Sequence, residues 1–312
     1  MDFLLLLETI LKMAILIGIG FIIAVKTPLS QDIRKFLIML IINVVVPALI
    51  LHAFLQLSID NQLLMQILMT FVFSVLFNLI SLFAALGIAK AFFKQTVKAR
   101  ETAFLSALGN TALIGIPLCA TLFGPKGAIL AAVFDAGMAL ILWSLGVMLI
   151  QQKGSIGFRT FKSMFNMPLL AILIGFLMAF LKISPPHFVK DVADTVGYAA
   201  TPLAMFYIGM LIMSIVKQKR KISPSRLALP IALKLVVFPI ASYLFLMHLS
   251  LNETIENILL IQVTMPTLST APIVMAMNHA DDELGAVTAL SSTVLSLVSI
   301  PMLVYIGKIL IF

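Results

Sequence analysis

Two ionisable side chains fall well inside apolar stretches of this sequence, Asp135 and Lys234, and two polar clusters do the same, GNTALIGIP at 109–117 and MPTLSTAP at 265–272. None of this is the equipment of an enzyme. There is no zinc ligand set, no phosphate-cradling glycine loop and no nucleophile beside a base, so neither catalysis nor a cofactor or metal is expected. The chemistry on offer is the binding of ions. An ionisable group inside a membrane segment is expensive and often functional. Asp135 lies about two turns in from the outer end of its segment and is the candidate proton-binding group. Lys234, about two turns from a cytoplasmic end, either snorkels to the interface or takes part in coupling. Lys12 and His52 lie near segment ends and read as anchors, and the acidic run Asp281, Asp282, Glu283 reads as a solvated loop.

The polar clusters carry a second kind of signal. Gly109, Asn110, Thr111, Gly115 and Pro117 crowd into little more than two turns of an apolar segment, where a spanning helix should keep its backbone hydrogen bonds whole. Pro266, Thr267, Ser269, Thr270 and Pro272 do the same late in the chain. Each cluster predicts a broken helix. The second half of such a helix presents unpaired amides and the positive end of the peptide dipole, and Pro117 and Pro272 suit its first turn because their missing N–H costs nothing there. Where the two breaks cross, those ends form a mid-membrane site for an anion. Asn110, Thr111, Thr267, Ser269 and Thr270 would add neutral hydrogen bonds to a carboxylate. The competing reading is a pair of proline kinks whose hydroxyls bond their own backbone. Spacing weighs against it. Pro117 and Pro272 stand 155 residues apart, and so do Pro47 and Pro202, which is the weak internal symmetry of a chain made from two similar halves.

The elements that position these residues follow from composition. Of 312 residues 62% are hydrophobic and 11% charged, with mean hydropathy +1.15, which places the chain among polytopic membrane proteins. The formal charge of +8 does not signal nucleic acid, since the cations lie at segment ends without interleaved aromatics. The lone cysteine, Cys119, excludes a disulfide framework within the chain. The amino-terminal stretch lacks a basic leader and reads as a first membrane helix. Runs of ~20 apolar residues predict an all-α membrane protein of about ten transmembrane helices, near 5–25, 36–55, 63–89, 103–123, 128–150, 167–183, 192–216, 227–249, 255–277 and 284–311. Lys and Arg favour the cytoplasmic side. They collect in alternate loops: Lys26, Arg34 and Lys35; Lys90, Lys94, Lys98 and Arg100; Lys153, Arg159 and Lys162; Lys217, Lys219, Arg220, Lys221 and Arg226. The opposite side keeps Lys126, Lys182, Lys190 and Lys308. Both termini are therefore expected outside a multi-pass protein of the cell membrane. Five helices per half make the repeats inverted, 1–155 and 156–312, joined by the polar linker 151–166.

The runs GNTALIGIPLCATLFGPKG, TPLSQDIRKFLIMLIINVVVPALILHAF and QVTMPTLSTAPIVMAMNHADDELGAVTALSSTV, with Trp143 in the helix after the first, resemble the auxin efflux carrier family, including bacterial members described as malate or malonate permeases. The resemblance covers nearly the whole chain, and GNTxxxGIP is its most specific part. It implies two inverted five-helix repeats similar to bile-acid sodium symporters, with helices 1, 2, 6 and 7 as scaffold and 3–5 and 8–10 as a moving domain. Asn110 and Pro117 match the first crossover of the family, Pro266 and Pro272 the second, and Pro47 the scaffold proline. The implied activity is secondary transport of small organic anions by an elevator-type alternation. The short linker at 151–166, where plant members carry a long loop, favours a malate- or malonate-like dicarboxylate over an auxin-like monocarboxylate. An anion channel is the other class compatible with a polar midplane. Asp135 permits proton coupling, whereas a sodium site asks for several converging oxygens that spacing does not locate. Partners would be the substrate, the lipid bilayer and, through exposed apolar scaffold faces, a second copy as a homodimer.

Overall fold

Apolar runs of membrane length leave the backbone one economical way to satisfy its own amides and carbonyls, the helix, and the regular elements among the described residues are all helical. The structure is a computed structural model and describes residues 3–27, 30–57, 60–151, 166–218, 224–249 and 251–311. In chain order the α-helices are α1 (Phe3–Lys26), α2 (Gln31–Leu40), α3 (Val46–Gln56), α4 (Asn61–Phe92), α5 (Thr96–Ala107), α6 (Ile116–Ile141) and α7 (Val147–Ile150). After a stretch outside the described residues, which holds most of the expected linker and the cations Lys153, Arg159 and Lys162, come α8 (Met167–Phe180), α9 (His187–Tyr198) and α10 (Ala200–Gln218). The cations Lys219, Arg220 and Lys221 also lie outside the described residues. The chain ends with α11 (Pro224–Ala232), α12 (Phe238–Leu246), α13 (Glu253–Val263), α14 (Ala271–Met277) and α15 (Asp282–Ile311). Seven helical stretches among the described residues are long and apolar enough to cross a membrane, and Met167–Phe180 is a shorter apolar helix.

Side-chain oxygens fix where several helices begin. Ser30 accepts from the Ile33 amide at 3.2 Å, Asp60 from Leu63 at 2.7 Å, Asn166 from Leu169 at 2.9 Å and Asn252 from Thr254 at 3.0 Å. Each takes up an amide that the first turn leaves unpaired, worth about 1 kcal/mol. Prolines act inside the helices instead. π-helical turns at Ile41–Val45, Thr111–Gly115 and Leu233–Val237 each end two residues before a proline, Pro47, Pro117 and Pro239. A proline ring clashes with the carbonyl four residues back, and in all three cases that carbonyl belongs to the widened turn, which makes room for the ring.

The chain divides into two compact units that interleave in sequence. The first draws its described residues from Met1–Phe71, Thr111–Ala136 and Phe165–Gln218, and the second from Val72–Asn110, Gly137–Met164 and Lys219–Phe312. Unit 1 thus holds the helices expected as scaffold together with the start of α4, up to Phe71, and residues 111–136. Within it α1 and α10 approach closely enough that glycine is required on both. A Cβ added to Gly20 would lie 2.2 Å from the Phe206 carbonyl oxygen, and one added to Gly209 would lie 1.9 Å from that of Ile17. Inside α6 the backbone leaves helical geometry at Gly124, whose φ of 62° a side chain would resist. The chain folds back there, for Gly127 lies against the Cys119 carbonyl, eight residues away, where a straight helix would set them about 12 Å apart.

Unit 2 is built on a buried cluster in which Leu82, Phe104, Leu105 and Leu108 meet Met138, Ile141 and Leu142 from one side of the sequence and Leu268, Val274 and Leu284 from the other. α5 starts well before the predicted helix at 103–123, because its first turns are polar and a hydropathy window passes over them. Glu101, which that window leaves outside the helix, is buried.

Candidate functional site

The two broken stretches meet within unit 2. α5 ends at Ala107, Leu108 turns to an extended conformation (φ −91°, ψ 127°), and Gly109 pairs antiparallel with Thr267. The Asn110 amide donates to the Pro266 carbonyl at 2.7 Å, and the Leu268 amide donates to the Leu108 carbonyl at 3.1 Å. Helix interruption costs backbone hydrogen bonds that lipid cannot replace, and here each broken chain supplies them to the other. The Thr267 hydroxyl donates to the Leu105 carbonyl at 3.0 Å, and its amide donates to the Ser292 hydroxyl of α15 at 3.1 Å. Ser292 was not among the residues singled out from sequence, since serines on a long apolar helix carry no signal of their own.

Of the predicted site residues, unit 2 therefore gathers Asn110, Pro266, Thr267, Ser269, Thr270 and Pro272. Asn110, Thr267 and Ser269 are buried. Pro272 occupies the first turn of α14, as predicted, with Thr270 as the residue before it. Two buried polar atoms at the crossing, Asn110 Nδ2 and Ser269 Oγ, have no hydrogen-bond partner among the described residues. Buried polar groups are nearly always paired, and both of these atoms lie on the two interrupted stretches.

Unit 1 holds Thr111, Gly115, Pro117 and Asp135. The Thr111 hydroxyl donates to Asp135 Oδ1 at 2.5 Å, with both residues buried. Pro117 differs from expectation. It was placed in the first turn of the second half-helix, but the coil already begins at Thr111 as a π-helical turn, and Pro117 falls one turn later. Widening the turn removes the ring's clash with the carbonyl of Leu113, so proline does not have to wait for a helix start.

Lys234 does not snorkel, and among the described residues it pairs with no acid. It is 1% exposed, its ammonium donates to the Ala107 carbonyl at 3.1 Å, and it stands 5.8 Å from the centre of the Phe77 ring. Of the acidic run after α14, Asp282 is exposed as the solvated loop predicted for it requires, whereas Asp281 departs from that expectation. Arg226 bridges Glu101 at 3.0 Å and Asp281 at 2.9 Å, Glu101 accepts from the Asp281 amide at 2.9 Å, and Asp281 accepts from the Leu284 amide at the start of α15. An acid on α5, a base on α11 and an acid before α15 are thereby tied at one place in unit 2. Sequence reasoning took Arg226 for an anchoring charge, because its partners lie 125 and 55 residues away. His52, read as an anchor, has its Nε2 3.0 Å from Asp194 Oδ1 and lines a cavity of about 440 Å³ in unit 1, with Thr121, Pro125 and Tyr198. Among the described residues no three His, Cys, Asp or Glu side chains group as metal ligands.

A model of the family described as membrane transport protein matches residues 5–158 and 155–304. A protein of Methanothermobacter thermautotrophicus described as an uncharacterized transporter is 25% identical over 296 residues, covering 95% of this chain and 96% of its own.

Proposed function

This chain belongs to the membrane transport protein family, and from that premise we propose that it is a secondary carrier of small organic acid anions, of the malate or malonate kind, in the cell membrane. The observation that carries the reading is the crossing of the two interrupted helices, where Asn110 Nδ2 and Ser269 Oγ are buried without partners among the described residues in a setting of opposed half-helices. Neutral donors and helix ends at mid-membrane suit a carboxylate, because they replace its hydration without fixing it as a salt bridge would.

In this reading the helical stretches make ten crossings, with α5 and α13 as first halves of the two broken helices and the reversal at Gly124 as the turn between the fourth and fifth. Residues 1–155 and 156–312 are the inverted repeats, both termini face outward, and the scaffold helices 1, 2, 6 and 7 stay fixed while 3–5 and 8–10 carry the site across as an elevator. Asp135, held by Thr111 inside the membrane, is the group that takes up a coupled proton. Scaffold faces that expose large apolar side chains, such as Leu11 and Ile22 of α1, suit lipid or a second copy.

Uptake of labelled malate into proteoliposomes, with malonate, succinate, citrate and an indole acid as competitors, tests the substrate class. Saturable uptake blocked by dicarboxylates is expected. Block by the indole acid alone would mark an auxin-like monocarboxylate carrier, and flux without saturation or counterflow a channel. Asn110→Ala should lower uptake at least tenfold, about 1.4 kcal/mol, with membrane abundance unchanged. A loss of folded protein equal to the loss of uptake would remove the binding role.

A further inference from the structure

A half-helix that stops inside a membrane leaves its last carbonyls unpaired and carries the negative end of its dipole. In unit 2 the carbonyls closing α5 can be followed one by one. That of Phe104 takes the Leu108 amide, that of Leu105 the Thr267 hydroxyl and that of Leu108 the Leu268 amide. Ala107, between them, takes the ammonium of Lys234. The ammonium reaches it from α11's continuation across the Gly109 backbone, where a Cβ would lie 3.0 Å from Nζ. On another side it faces the Phe77 ring. A carbonyl oxygen at a half-helix end and an aromatic face are the ligands a small monovalent cation takes, and carbonyls of this kind hold Na⁺ in carriers with broken helices. No carboxylate pairs with Lys234 among the described residues, so its charge is answered by the helix end and the ring face.

We propose that Lys234 is a resident, tethered cation: its ammonium fills the place at the carbonyl end of α5 where a cotransported Na⁺ would otherwise bind, so substrate movement needs no sodium, and removing the side chain opens a site for a monovalent cation. The statement about coupling rests on the transport reading above, whereas the cation site does not. Gly109 is part of the device, since any side chain there would push the ammonium from its carbonyl.

The test compares wild type with Lys234→Ala as purified full-length proteins, following the thermal-unfolding midpoint while choline is replaced by Na⁺, K⁺ or ethylammonium at constant ionic strength. Wild type is expected to respond to none of them. The variant is expected to gain about 5 °C, saturably, with Na⁺ or ethylammonium, the size of shift that a ligand well above its Kd gives. A saturable Na⁺ response in wild type overturns the proposal, as does a folded variant indifferent to all three cations. If the variant does not fold in choline, extraction in ethylammonium is expected to recover it. Failure of ethylammonium, Na⁺ and K⁺ alike to do so overturns the proposal. None of these measurements contains a substrate, so they are independent of malate uptake. Where uptake is established, equal wild-type rates in Na⁺ and choline are expected, and uptake driven by a Na⁺ gradient would sink the coupling claim alone.

Discussion

Asp135 and Lys234 are both buried ionisable residues, one in each compact unit, and the protein treats them differently. Asp135 meets a single hydroxyl, that of Thr111, which can donate to a carboxylate and can equally accept from a carboxylic acid by turning its proton. Lys234 meets a backbone carbonyl at the end of α5 and a ring face, and neither can change its role. A group that must alternate between two charge states needs a partner able to serve both. A group that must stay charged is best met by groups that cannot donate. Under the transport reading and the tethered-cation proposal above, the first arrangement belongs to a proton carrier and the second to a fixed charge.

Reversing the fixed charge should have the largest effect. Lys234→Glu puts a carboxylate against the Ala107 carbonyl in a low-dielectric interior, where uncompensated buried charge costs several kcal/mol. No folded protein should be recoverable by size-exclusion chromatography, and a monodisperse variant would show that the α5 end needs no cation. Arg226→Ala comes next, since it strands Glu101 and Asp281 beside each other, and a loss of about 3 kcal/mol in stability is expected, read as a lowered unfolding midpoint. If the midpoint holds, the Glu101–Arg226–Asp281 cluster is no brace for unit 2. Thr111→Val removes the donor to Asp135 and should cost about 1–3 kcal/mol. The smallest change in stability, under about 1 kcal/mol, is expected for Asp135→Asn, because the amide oxygen still accepts from Thr111. That variant should nevertheless flatten the pH dependence of uptake. A pH profile identical to wild type would return Asp135 to a structural part and erase the contrast with Lys234.

How far each feature could be read in advance depended on where its cause lies along the chain. The breaks at 109–117 and 265–272 were visible because glycine, asparagine and proline in an apolar run cannot stay helical without help, and that is a local fact. That the two breaks pair, amide to carbonyl, follows from lipid's inability to hydrogen-bond, so their meeting was also within reach. The partner of Lys234 was not, since Ala107 lies 127 residues away and is a backbone carbonyl with no side-chain signature. The Glu101–Arg226–Asp281 cluster was hidden for a related reason: rules for counting cations place Arg226 in a loop and say nothing of what it touches. The π-helical turns escaped notice because proline announces a disturbance without saying whether the helix kinks, stops or widens.

The glycine contacts between α1 and α10 have a consequence for biogenesis. Gly20 rests on the backbone of Phe206, so α1 finds this seat only after roughly 190 further residues have been made. At typical synthesis rates of about 5–20 residues per second, that is a wait of about 10–40 s. Through that interval α1 must persist without α10, with the groove beside Gly20 unfilled. A substitution there would leave early insertion intact and fail late, when α10 arrives and cannot dock.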